Sequence, residues 1–263
     1  MADPQGAAFF DLDKTLIEGS SAIHFGRAAY RAGMISRRQI LSDAWANVRF
    51  RLNGSTDEGT EELKQRILDS IAGWRVVDLA RLGPDVLAGV LPLIYKDMLD
   101  EAYSHQDAGR PVFIVTAASQ ELADTLAHVL VLDGGIGMRS EVRDGVYTGR
   151  AAGPFTYREG KADAIRQLAA ERGIDLAESF AYSDSESDLP MLRTVGHPVA
   201  VNPDAELQRV ARAEGWRIMR FDKLGRRLKW AAAVTSVALV GAGGGGYVAA
   251  RARRPRRRLL PRR

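Results

Sequence analysis

The chain of 263 residues contains no cysteine. Disulfide scaffolding and thiol chemistry are therefore excluded, which fits a reducing compartment. Only four histidines occur, and no two have the spacing of a helical zinc pair. Residues Met1 to Gly6 lack the basic start and long apolar stretch of a secretory signal, so none is expected. Internal repeats are absent. Charge is missing altogether from residues 230–250, and acid is missing from 251–263, which hold eight arginines. The formal net charge of +4 thus arises from the tail. The body is mildly acidic, which argues against a nucleic-acid-binding surface.

What is present begins with Ala7-Ala8-Phe9-Phe10-Asp11-Leu12-Asp13-Lys14-Thr15. An unbroken apolar run is the mark of a strand buried on both faces of a parallel sheet. In open α/β sheets, polar groups at the carboxyl end of such a strand sit where ligands bind. Asp11 and Asp13, two residues apart, point the same way in an extended segment. Carboxylates that close repel unless a cation or proton lies between them, so the pair calls for Mg²⁺. Two further runs read as buried strands: Pro111 to Thr116, followed by Ala117, and Ser179 to Asp184, with Asp188 four residues later. Between them, Glu159-Gly160-Lys161 opens a helical stretch. A hydroxyl, a lysine and two more carboxylates, Asp184 and Asp188, at successive strand and helix ends form one constellation with Asp11 and Asp13.

In these motifs the chain resembles the haloacid dehalogenase superfamily, in the phosphoserine phosphatase-like branch called subfamily IB. Asp11 to Thr15 matches its first motif, Thr116 the second, Lys161 the third, and Asp184 to Asp188 the fourth. The resemblance runs from about Ala7 to Phe221. It implies a Rossmann-like parallel sheet with an inserted helical cap, and Mg²⁺-dependent phosphoryl transfer through an aspartyl-phosphate. Asp11 would be the nucleophile and Asp13 the acid and base. Asp11, Asp184 and the backbone carbonyl of Asp13 would ligate Mg²⁺, with Asp188 behind them. Lys161, Thr116 and the backbone after Thr116, at Ala117, would hold the phosphate. Asp13-Lys14-Thr15 also matches the start of the ion-pump phosphorylation motif. Leu16-Ile17 replaces its Gly-Thr, however, and a pump needs a bundle of membrane segments.

The expected architecture is α/β, with residues 1–17 and 110–222 as the core and 18–109 as the cap. Helical periodicity from Ile23, through Ile40 to Trp45, to Leu68 supports the cap, which would close over the site as lids do. His24, just past the hinge, is the cap residue with the best claim to a role, although a surface helix histidine explains it better. Ile136 to Arg150 reads as a hairpin turning at Asp144-Gly145. Pro198–Val201 and Trp216–Arg220 read as strands, with Asn202-Pro203-Asp204 as a turn and helix start.

Substrate identity is less sharply marked. In the branch's phosphoserine phosphatases, a glutamate seven residues past the second aspartate helps hold the substrate's amino group. Here Ser20 stands there, and Glu18 lies two residues earlier. The fourth motif, Ser183-Asp184-Ser185-Glu186-Ser187-Asp188, replaces the family's Gly-Asp-Gly-x-Asn-Asp. A phosphatase of a small phosphomonoester is expected. After a basic linker at 223–229, residues 230–250 are long enough as a helix to cross a membrane, though alanine- and glycine-rich. The expected location is a cytoplasmic catalytic domain, possible membrane contact coming through this segment and the arginine-rich end. Such an anchor would suit a (lyso)phospholipid phosphate. An inactive anchored adaptor is the alternative of another class, but its sign would be loss of Asp11, Asp13, Lys161 or Asp184, and all four are present.

Overall fold

In the computed structural model, residues 5–36, 38 and 57–221 are described. The apolar run after Gly6 forms β1 (Ala8–Asp11), buried along its whole length. Its side chains alternate across the pleat. Phe9 stacks on Phe113, ring centroids 5.7 Å apart, in a core cluster with Ile165, Leu192 and Leu207. Phe10 takes the opposite face and stacks on Tyr182 at 4.2 Å. Burial on both faces is why the strand shows no polar alternation.

From β1 the sheet grows outward in two directions. On one side lie β2 (Val112–Ser119) and β3 (Gly134–Met138). A separate antiparallel hairpin follows, of β4 (Ser140–Arg143) and β5 (Val146–Ala151). On the other side lie β6 (Phe180–Ser183), β7 (His197–Val201) and β8 (Arg217–Met219). The main sheet has the order β3-β2-β1-β6-β7-β8, and its pairings are all parallel. The direction of winding reverses at β1. The carboxyl ends of β1, β2 and β6 therefore border the crevice where such sheets bind ligands. This is the α/β architecture expected from the sequence, with β7 and β8 near the anticipated positions.

The insertion after β1 includes α1 (Ser21–Arg31), α2 (Asp57–Ile71), α3 (Val76–Arg81) and α4 (Gly83–Val90). Its two connections to the core meet at an antiparallel bridge between Ile17 and Ile94. Glu18 N–H donates to Leu93 O at 2.7 Å, and Tyr95 N–H to Leu16 O at 3.0 Å. The return crossing at Ile94 moves the expected cap boundary at 109. The next helix, α5 (Lys96–Asp107), lies against the sheet, where its His105 meets Phe10 and Tyr182. Helical periodicity reveals a buried face but not its partner. The expected hairpin also shortens, since Ile136 pairs with Val115 in the main sheet. Its turn at Asp144-Gly145 stands between Arg143 and Val146, which pair. The hairpin joins the insertion through Gly73 N–H to Tyr147 O and Tyr147 N–H to Trp74 O, both 2.9 Å.

The remaining helices are α6 (Gln120–Val129), α7 (Glu159–Arg172), α8 (Leu189–Leu192) and α9 (Ala205–Ala213). Asp204 caps α9 by accepting the Leu207 N–H at 2.8 Å, the helix start expected after Asn202-Pro203. Among the described residues no helix is long and apolar enough to cross a membrane. Residues 230–250 and the arginine-rich end lie outside the described residues, as does the expected helical stretch from Ile40 to Trp45.

His105 carries a pH dependence of stability. Arg110 Nε donates to His105 Nδ1 at 2.8 Å, so Nε2 bears the proton and donates to the Tyr182 hydroxyl at 2.7 Å. Tyr182 in turn donates to Glu101 at 2.9 Å. Burial, then the Arg110 charge, lowers the His105 pKa to about 4. The unfolded chain protonates nearer 6.5, so between these values it binds a proton that the folded chain does not. The contribution is complete above pH 6.5 and is lost as pH falls toward 4, by at most about 1.4 kcal/mol per pH unit. Denaturant unfolding across this window is expected to show a shallower pH slope for His105→Gln than for wild type. Equal slopes would contradict the assignment.

Candidate active site

Two strand ends, the strand between Val112 and Ser119 and one helix start supply the expected site residues. β1 delivers Asp11, whose register partner on β2 is Val115, so Thr116 and Ala117 follow one and two steps beyond it, inside a strand that runs past its expected end at Thr116 to Ser119. β6 ends at Ser183, and Asp184 comes next. α7 begins close against the preceding loop, where a Cβ on Gly160 would lie 1.8 Å from the Phe155 carbonyl oxygen. That close approach sets Lys161 on the first turn. Its Nζ donates to Asp11 Oδ1 at 2.6 Å and to Asp188 Oδ2 at 2.7 Å. All three residues are buried. Ser183 Oγ also donates to Asp188 Oδ2 at 2.7 Å.

The other expected site residues take more varied positions. Asp184 is buried and faces Lys14, whose Nζ lies 3.4 Å from its Oδ2. The Asp184 carbonyl accepts the Asp204 N–H at 2.9 Å, and Asp204 accepts the Glu186 N–H at 2.9 Å. These bonds pin the loop carrying Asp184 to Asp188. Asp13 turns its carboxylate toward the start of α1, accepting the Ser21 N–H at 2.7 Å and the Ser20 hydroxyl at 3.2 Å. Thr116 is buried and its hydroxyl accepts the Ala118 N–H at 3.1 Å. Thus Asp11, Lys161 and Asp188 touch one another directly. Asp13 and Asp184 follow the ends of β1 and β6, and Thr116 lies within the neighbouring β2.

Negative charge exceeds positive charge here. Burial raises the Asp11 pKa to about 7; Lys161 pulls it back, while Asp188 and Asp184 push it up further. Burial also raises Asp184, with Lys14 opposing. Burial works against the Lys161 ammonium, but Asp11 and Asp188 outweigh it and raise its pKa. The 2.6 and 2.7 Å contacts are those of a charged lysine between carboxylates. Asp188 Oδ1 is buried without a hydrogen-bond partner.

With all four carboxylates ionised, the two ammonium groups leave two negative charges unbalanced, a deficit that a divalent cation would offset. Among the described residues no group of three or more His, Cys, Asp or Glu side chains could hold a metal by itself. Mg²⁺ needs no such group, because it retains several waters and takes one or two carboxylates. The donor set fits that ion.

Ser183, Lys14 and Tyr157 were not anticipated as site residues. Ser183 had a signal in its place directly before Asp184 at a strand end. Tyr157 packs on Phe155, ring centroids 5.7 Å apart, and its hydroxyl, raised by burial, bonds Ser187 in the loop holding Asp188. Nothing in the spacing marks it. His24 lies against α4 instead, where a Cβ on Gly89 would fall 2.2 Å from its Nδ1.

Residues 8–193 match the family model of haloacid dehalogenase-like hydrolases. The chain is similar to the protein named phosphoserine phosphatase SerB1 of Mycobacterium tuberculosis (strain ATCC 25618 / H37Rv). They are 38% identical over 257 residues, covering 97% of this chain and 83% of that protein. It is 31% identical over 227 residues to a Neisseria meningitidis histidinol-phosphatase, covering 81% of this chain and 98% of the other. Its fold resembles a solved Bordetella pertussis Tohama I protein of unknown function. There the TM-score is 0.73 and identity 29%, over 82% of this chain and 98% of that one. The chain belongs to the haloacid dehalogenase-like hydrolases.

Proposed function

From this membership, we propose that the chain is a Mg²⁺-dependent phosphomonoester phosphatase that works through a phosphorylated Asp11 on a small metabolite phosphate. The observation that carries the reading is the buried Lys161 bridging Asp11 and Asp188 at the carboxyl end of the sheet. Mg²⁺, bound by the Asp11 and Asp184 carboxylates and the Asp13 carbonyl, would neutralise charge on the phosphoryl oxygens. Asp11 attacks phosphorus and splits hydrolysis into two displacements. Asp13 protonates the departing alcohol, then takes a proton from the water that cleaves the acyl-phosphate. Lys161 and the Thr116 hydroxyl meet the phosphoryl oxygens, whose charge spreads in the transition state.

The names of two relatives refer to different substrates, phosphoserine and histidinol phosphate. Ser20, bonded to Asp13, stands where phosphoserine phosphatases carry a substrate-binding glutamate, which weighs against phosphoserine. The test is phosphate release by the full chain from amino-acid, sugar, choline and lipid phosphates. Release from at least one monoester is expected with Mg²⁺. It should fall by about 10²-fold or more in excess EDTA and return on adding Mg²⁺. No release from any monoester, or full activity in EDTA, would overturn the reading.

A further inference from the structure

Ser20 is the N-cap residue of α1, with extended backbone angles (φ −130°, ψ 129°), yet its side chain makes no capping bond to the helix. A serine in this position ordinarily accepts an N–H from the first turn. Here the hydroxyl donates to Asp13 Oδ2 at 3.2 Å, while Oδ1 accepts the Ser21 N–H at 2.7 Å. The loop between them is drawn closed by Lys14 N–H donating to Gly19 O at 3.0 Å. Gly19 turns the chain at φ +90° with open space around it. Glycine therefore serves the backbone conformation here, and that conformation brings Ser20 back to Asp13. Each oxygen of the carboxylate thus has its own donor, and the two donors fix the plane of the group.

We propose that Ser20 is a positioning residue for Asp13, holding its carboxyl group in the orientation that delivers a proton to the leaving oxygen. The inference rests on the phosphatase reading above. As the bond from Asp11 oxygen to phosphorus forms, the ester P–O bond breaks and its electron pair stays on the alcohol oxygen. That oxygen takes the Asp13 proton and departs as neutral alcohol. The Ser21 N–H alone leaves the carboxyl free to swing about Oδ1, and Ser20 removes that freedom. The requirement for an aligned acid is greatest when the leaving group is a poor one. An alkoxide must be protonated as it departs, whereas a nitrophenolate leaves unaided.

The test compares kcat/KM, which reports the first chemical step, for propyl phosphate and p-nitrophenyl phosphate with the full chain. Ser20→Ala is expected to lower the propyl value by about tenfold or more, within the range of general acid catalysis. The nitrophenyl value should fall by about threefold at most. Ser20→Thr, which keeps the hydroxyl, is expected to recover most of the propyl activity. Parallel losses on both esters in Ser20→Ala, or unchanged propyl hydrolysis, would overturn the positioning role and leave the phosphatase reading standing. A wild-type chain inactive on both esters and on every other phosphomonoester would overturn that reading, and the role with it.

Discussion

Asp11→Asn is expected to abolish turnover, with a loss on the order of 10⁴-fold or more, as when the nucleophile of a covalent mechanism is removed. An asparagine oxygen can still accept from Lys161, so the contact now at 2.6 Å need not be lost. One charge also leaves a site where Asp188 and Asp184 already oppose ionisation of Asp11. The substitution should therefore leave the fold intact, with an unfolding midpoint close to wild type. Turnover assays paired with denaturant unfolding separate the two effects. Near wild-type kcat would remove Asp11 from the chemistry. A large loss of stability would show instead that the carboxylate is needed for folding.

Lys161→Met should damage both activity and stability. The ammonium lies between two buried carboxylates, at 2.6 and 2.7 Å. Removing one partner of a buried ion pair leaves uncompensated charge, at a cost of about 3–5 kcal/mol. A preorganised donor to the phosphoryl oxygens is lost as well, worth about 10²–10³ in kcat. Adding Asp11→Asn should recover part of the stability, because the repulsion it relieves is strongest once the lysine is gone. The cycle of single and double variants is expected to show a coupling of about 1–3 kcal/mol. Additive effects would mean that Lys161 and Asp11 do not act as a pair. Unchanged stability in Lys161→Met would argue against a buried ion pair altogether.

The parts legible in the sequence are those where chemistry and period coincide. An apolar run stopped by Asp11 identifies a strand and the point where it leaves the sheet together, because a strand buried on both faces tolerates polar groups only there. Lys161 and Asp188 were likewise marked by position, and the structure brings them within hydrogen-bond distance of Asp11 or of each other. Partner choice was not legible. α5 has the same amphipathic signature whether it covers the sheet or another cap helix, and only the contacts of His105 with Phe10 and Tyr182 decide it. Ile136 reads equally well in a hairpin or beside Val115, since strand pairing is non-local. Ser20 is marked only as the replacement for a glutamate, and its turn toward Asp13 depends on a loop closure between Lys14 and Gly19 that no local propensity encodes.

Phosphorylation of Asp11 is the step on which the functional reading depends. Its direct test is to quench the full chain during turnover with borohydride, which reduces an aspartyl-phosphate to homoserine, and to map the product by peptide mass spectrometry. Homoserine is expected at position 11 alone, and only with substrate and Mg²⁺ both present. Homoserine at Asp13 or Asp184, or steady phosphate release with none at position 11, would contradict the account.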